Sequence, residues 1–201
     1  MLSDTLGGER TESGRVKLDL ALVHYPVGNK KGDTIGSAIT NLDLHDIARA
    51  GRTYGIDAFY VITPYADQQQ LAREIIAHWL TGYGAGYNRL RKEALGLIRI
   101  CDDLAGLYAE VNAKWQKKPT ILATSARQQE NTLSYQLVRQ RLGQGEPFLL
   151  LFGTGWGLTP EVMDKVDGVL PPIEGSREYN HLSVRAAVAI TLDRLLGEKR
   201  E

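Results

Sequence analysis

An α/β fold with a mostly parallel sheet and helices on both faces is the class predicted for this chain, on three observations. Short apolar runs alternate with amphipathic stretches from residue 16 onward, the pattern of strands joined by helical crossovers. The run Leu149-Leu150-Leu151-Phe152 is apolar throughout, as a central strand covered on both faces requires. It passes directly into Gly153-Thr154-Gly155-Trp156-Gly157, after which Thr159 and Pro160 read as the cap and first residue of a short helix.

Each element follows in order. Residues 1–15 are polar and aperiodic and are expected to form a disordered lead-in. Residues 16–24 form the first strand. A loop through Pro26, Gly28, Gly32 and Gly36, basic at Lys30 and Lys31, then reaches a helix over 43–54 that Gly55 closes. A second strand covers 57–63. Asp67 caps a helix running to residue 81, and Gly82-Tyr83-Gly84-Ala85-Gly86 separates it from a helical stretch over 88–94. The third strand is 97–101. Asp102 starts a helix to residue 115, residues 120–124 form the fourth strand, 133–142 a helix and 148–152 the fifth strand. Beyond the glycine loop, Gly168-Val169-Leu170 is a very short strand followed by Pro171-Pro172 and a loop to Asn180. The last helix spans 182–196. Val184, Ala187, Val188, Leu192 and Leu195 recur at helical spacing along it, and Ala186, Ala189 and Ile190 widen the stripe, which predicts heavy burial.

A chain of 201 residues with 43% hydrophobic content can bury one sizeable core, so a single domain over 16–201 is expected. No apolar run approaches membrane-spanning length and the first fifteen residues lack a signal-peptide core, which predicts a soluble, cytoplasmic protein with no membrane partner. Cys101 is the only cysteine, which excludes an internal disulfide. His24, His45, His78 and His181 show no metal-ligand spacing, so no metal is expected. Lys plus Arg (24) equals Asp plus Glu (24), and any case for nucleic-acid binding therefore falls to local patches.

The glycine loop alone leaves its ligand open. A dinucleotide fingerprint would need glycine where Leu158 stands, and a phosphate-binding P-loop would need a lysine, of which there is none between Glu146 and Asp164. A glycine turn with no ligand competes with both.

Context narrows the choice. Phe152-Gly153-Thr154-Gly155-Trp156-Gly157-Leu158, then Val169-Leu170-Pro171-Pro172-Ile173, then Asn180-His181-Leu182-Ser183-Val184-Arg185-Ala186-Ala187 resemble, in order and spacing, the closing motifs of the SPOUT class of RNA methyltransferases, named for SpoU and TrmD. Asp43-Leu44-His45-Asp46-Ile47-Ala48-Arg49 with Tyr54-Gly55 is similar to the first SpoU motif, with Arg49 at the place of a catalytic arginine and Asp43 replacing an asparagine. The resemblance covers residues 16–197 and is closest to a bacterial group labelled as a C-terminal domain of tRNA guanine-N1-methyltransferase, which His78-Trp79 and the 82–88 stretch also resemble.

That resemblance implies a C-terminal deep trefoil knot, S-adenosylmethionine as cofactor with S-adenosylhomocysteine as product, an RNA substrate (tRNA foremost), and a homodimer. It implies cofactor contacts from Leu151, Phe152, Gly153, Thr154, Gly155, Trp156 and Gly157, from Leu170, Pro171 and Ile173, and from Asn180, His181, Leu182 and Ser183. Trp156 reads equally as a packing indole. Arg49 is the leading catalytic residue, acting by charge, because a guanidinium holds its proton too tightly to be a ready base; His181 and Asp43 are the alternative bases. Ribose 2′-O-methylation is favoured, and an aspartate base would suit a guanine ring nitrogen. RNA contacts are expected from Arg52, Tyr87, Asn88, Arg89, Arg91 and Lys92, for which a solvated helix face is the simpler reading. Two competitors stay open: a knot protein that binds S-adenosylmethionine or RNA without transfer, and, more distantly, a Rossmann-type oxidoreductase.

Overall fold

The computed structural model describes residues 15–176 and 179–198, so the lead-in expected over 1–15 lies, apart from Arg15, outside the described residues. The expected alternation is present. Strand β1 (Leu18–Val23) is followed by a small hairpin, β2 (Val27–Gly28) with β3 (Thr34–Ile35), then α1 (Asn41–Tyr54), β4 (Ala58–Ile62), α2 (Ala66–Leu80), α3 (Tyr83–Tyr87), α4 (Arg89–Leu95) and β5 (Ile98–Cys101). The second half runs α5 (Leu104–Trp115), β6 (Thr120–Thr124), α6 (Tyr135–Gly143), β7 (Phe148–Gly153), α7 (Pro160–Met163), β8 (Gly168–Leu170) and α8 (Val184–Leu196).

The main sheet has the order β5-β4-β1-β7-β6-β8, and every pairing in it is parallel. Helices cover both faces because successive strand residues point to opposite sides. Leu18, Leu20 and Leu22 of β1 join a core with Leu44 and Ile47 of α1, Val138 of α6 and Val188, Leu192 and Leu195 of α8. Ala21 and Val23 face the other way, onto Leu107 and Val111 of α5 and Val162 of α7. β1 and β7, at the centre, are apolar on both faces for this reason. The one charge on β1, Asp19, is fully buried and is matched by Lys114 and by Trp115, whose Nε1 donates to it at 2.7 Å.

Several boundaries differ from those expected, each through a cap. α1 begins at Asn41 because the Thr40 side chain accepts from the Asp43 amide, so Asp43 lies inside the first turn. Asp67 is likewise in the first turn of α2, behind Tyr65, and Asp103 rather than Asp102 caps α5. The 82–86 stretch separates α2 from α4 as expected, but it is not irregular: Tyr83–Tyr87 form the short α3, whose Gly84 lies against the Trp79 ring, where an added Cβ would come within 2.6 Å of the indole. The 28–36 loop is a hairpin whose Asn29 Oδ1 accepts from the amides of Lys31 (2.8 Å) and Asp33 (3.0 Å).

The C-terminal return gives the fold its character. β8 lies at the sheet edge beyond β6, yet α8 packs against α1, α6 and β7. Between them the chain is clasped by the segment after β6: Leu133 N donates to Val169 O (2.9 Å), Val169 N to Asn131 O (2.8 Å), Tyr135 Oη to Pro171 O (3.2 Å) and Asn180 Nδ2 to Ala126 O (3.0 Å). This arrangement agrees with the α/β-knot class. The stripe on α8 is buried by its own chain along Val188, Leu192 and Leu195, while Ala186, Ala187, Ala189 and Ile190 beside it stay half-buried.

Candidate active site

The C-terminal ends of β1, β6, β7 and β8 open onto one cleft of about 1030 Å³, where parallel α/β sheets ordinarily bind ligands. Its walls have five sources. The loop after β7 contributes Phe152 through Leu158, the segment after β8 Pro171 and Ile173, the approach to α8 Asn180 through Ser183, and the entrance to α1 Ser37, Thr40 and Asp43. The loop after β6 adds Thr124 to Arg127.

The glycine loop is tied to the rest of the chain through its backbone. Its amides are largely engaged within the protein: Thr154 N donates to Val23 O (3.2 Å), Trp156 N to Gly28 O (3.2 Å) and Gly157 N to Thr154 O (3.0 Å), while Gly157 O accepts from Gly28 N (2.9 Å). β2 therefore pins the loop as a rigid wall. Glycine is required at all three positions: Gly155 and Gly157 have φ +59° and +98°, and an added Cβ on Gly153 would stand 2.5 Å from the Leu158 amide nitrogen. Trp156 is exposed (56%) at the rim rather than packed.

Leu151 and Leu170, expected near the cofactor, are buried in the sheet and absent from the cleft lining, whereas all the other expected cofactor residues line it. Asp43 and His181 line it as well. Asp43 is nearly buried; Thr40 Oγ1 donates to its Oδ2, and Arg185 of α8 donates to its Oδ1 at 3.3 Å while pairing with Asp46 at 3.3 Å. His181 is exposed, edge-on to Tyr179 at 5.5 Å. Arg49 does not line this cleft. It borders a separate cavity of about 690 Å³ together with Arg52, Asn88 and Arg91.

Reading the sequence missed several cleft residues. Arg185 lay within a quoted motif without a role, and Arg127 and Ser37 sit in loops with no motif signal. Behind Ser37 stands His24, fully buried, with Nδ1 2.9 Å from Ser37 Oγ; that hydroxyl also bonds Thr154 Oγ1, which donates to Val23 O at 3.1 Å. Burial holds the His24 imidazole down to about 4, against the pull of Asp43, so it is neutral at pH 7.

The expected RNA contacts gather on another face. Asn88 Oδ1 accepts from Arg91 N (2.9 Å) and caps α4; Arg52 and Arg89 both pair with Glu93, at 3.0 and 3.3 Å. Tyr87 is exposed and stacks with Tyr83, ring centroids 6.3 Å apart, and Lys92 is exposed on the next helix.

Known proteins bear on this geometry. A family described as SAM-dependent RNA methyltransferase matches residues 17–197. A protein of Oleidesulfovibrio alaskensis named tRNA (guanine-N(1)-)-methyltransferase is 42% identical over 190 residues, covering 94% of this chain and 44% of that protein. The chain thus spans under half the length of that curated relative. An uncharacterized protein of Aquifex aeolicus is 37% identical over 182 residues, covering 90% of this chain and 89% of its own. Among solved structures, the TrmH/SpoU tRNA modifying enzyme of A. aeolicus superposes with TM-score 0.54 at 16% identity, covering 90% of this chain and 74% of that one. That likeness concerns the fold.

Proposed function

Since the chain belongs to the family of SAM-dependent RNA methyltransferases, we propose that it methylates a tRNA in the cytoplasm, with the cofactor in the cleft above β7 and Asp43 as proton acceptor. The cleft carries this reading. Its volume suits a ligand of this size, its apolar lining at Phe152, Leu158, Pro171, Ile173 and Leu182 suits an adenine ring, and Arg127, with no ion pair among the described residues, suits a methionine carboxylate. Gly157, where an added Cβ would enter open space, leaves that wall clear. When bound, S-adenosylmethionine supplies an electrophilic methyl on a sulfonium.

The chain's own groups do the rest. Transfer requires the acceptor to be aligned and its proton removed. Asp43 is fixed by Thr40 and Arg185 at the cleft wall, and as a carboxylate it suits a base ring N–H. Ribose methylation was favoured on the strength of Arg49, which borders the other cavity; the residue standing in the cleft supports a base nitrogen instead, consistent with the name of the O. alaskensis relative. His181 is the alternative acceptor on the same wall. Exposed Trp156 would meet the incoming nucleotide. Tyr83, Tyr87 and the α4 cations extend the RNA surface.

Nucleoside mass spectrometry after incubating the protein with unmodified tRNA and S-adenosylmethionine tests the acceptor: a base-methylated nucleoside is expected, and a 2′-O-methyl product would overturn the assignment. Asp43→Asn should slow transfer at least about 100-fold with cofactor affinity retained. Binding of cofactor with no transfer to any RNA would instead favour a non-catalytic knot protein.

A further inference from the structure

The second cavity, between α1 and α4, is a site of its own. Arg49, Arg52 and Arg91 line it, and Glu93 is the only carboxylate among its lining residues. Glu93 is already paired with Arg52 and Arg89. Arg49 and Arg91 make no side-chain ion pair among the described residues. Arg91 is fixed in place nonetheless: its guanidinium lies over the Trp79 ring at 4.7 Å from the centroid, and its Nε is buried with no hydrogen-bond partner among the described residues. Trp79 is in turn held by His45, edge-on at 5.4 Å, and by the close approach of Gly84. His45 registers the excess of positive charge: burial first, then Arg91, lowers its affinity for a proton. The Trp79 indole is thus the platform for an unneutralised arginine.

We propose that this cavity docks a phosphodiester of the RNA substrate, with Arg49, Arg52 and Arg91 as its clamp and Arg49 serving binding rather than chemistry. Planar guanidinium groups match phosphate oxygens in pairs. RNA is favoured over a small free anion because the stacked Tyr83 and Tyr87, 82% and 78% exposed, lie on the helix leading into α4, where unpaired bases can stack. Helix α1 sets the spacing. Asp43 faces the cleft and Arg49 the cavity, six residues and so about 9 Å apart along the helix axis, within the span of one bound strand.

The inference rests on the reading of the protein as acting on RNA, and its test keeps the two apart. Anisotropy of a labelled tRNA transcript is measured against the full chain over a range of salt, with cofactor affinity measured by calorimetry in parallel. The double variant Arg49→Gln, Arg52→Gln alters exposed side chains and should fold; it is expected to bind RNA about tenfold more weakly, with a salt slope reduced by about 1 to 2 and cofactor affinity unchanged. Arg91→Gln, checked by thermal melting because it touches Trp79, should behave alike. Unchanged RNA affinity and slope in the double variant, beside a wild type that binds, would overturn the docking site alone. Lost transfer with RNA affinity intact would return Arg49 to catalysis and overturn it too. A wild type that binds cofactor but no RNA at any salt would overturn the RNA reading together with this one.

Discussion

His24 is where the interior of the molecule meets the cleft, and its chemistry sets a pH limit on the fold. Its ring is fully buried, Nδ1 meets Ser37, and Nε2 has no hydrogen-bond partner among the described residues, so an added proton would be cut off from water. Burial lowers its protonation to about 4 from an ordinary 6.5. The unfolded chain therefore binds a proton below pH 6.5 that the folded chain refuses until about pH 4, and stability falls as the pH drops through that window. The loss from this group by pH 4.5 amounts to about 2–3 kcal/mol. Urea melts at pH 7.5 and 4.5 should show it, and His24→Gln should remove that part of the difference even if it lowers stability at both values. Nothing in the sequence around His24 announces this role, because Ser37 and Thr154 reach it only through the fold.

At the level of elements, local rules did well where a cap or a period decides and less well where a neighbour does. The α8 stripe was legible from spacing alone, and Ser183, whose Oγ accepts from Ala186 N at 3.4 Å, caps the helix so that it starts at Val184, two residues past the expected position. Ser183→Ala should cost about 1 kcal/mol, seen as a lower melting temperature, and since Ser183 also lines the cleft it should weaken cofactor binding as well. A destabilised variant with full cofactor affinity would separate the cap from the site. The glycines before α4 mark the break between α2 and α4, but not the short α3 within it: beside Trp79 the missing Cβ of Gly84 is what lets that turn dock. The glycine loop after β7 was recognised as a ligand wall from its motif, while the capture of its amides by β2 depends on a hairpin more than a hundred residues earlier.

For the whole molecule, the parallel class followed from alternation, whereas strand order and the return of α8 from beyond β6 to the face of α1 are decided by packing. That return brings Arg185 to Asp43 and closes the cleft. It also buries Val188, Leu192 and Leu195 of α8 and leaves Ala186, Ala189 and Ile190 half-buried. A homodimer of the kind the family resemblance implies has that strip, with Leu42 (59% exposed), Trp156 and Leu182 near the cleft mouth, as apolar surface to use. Sedimentation equilibrium at micromolar concentration is expected to show a dimer; a monomer there, with transfer activity retained, would rule the arrangement out.

The sequence by itself determined the order of strands and helices, the buried centre at β1 and β7, and the three motif segments that line the cleft, because periodicity, caps and turn residues act within a few positions of one another. Tertiary structure alone decided that Asp43 enters the cleft while Arg49 borders a second cavity, that Arg91 rests on Trp79, and that Ser37, Thr154 and His24 share one hydrogen-bonded chain. Two residues on one helix part company when different neighbours pack against its two ends, and no pattern within the helix records which neighbours those are.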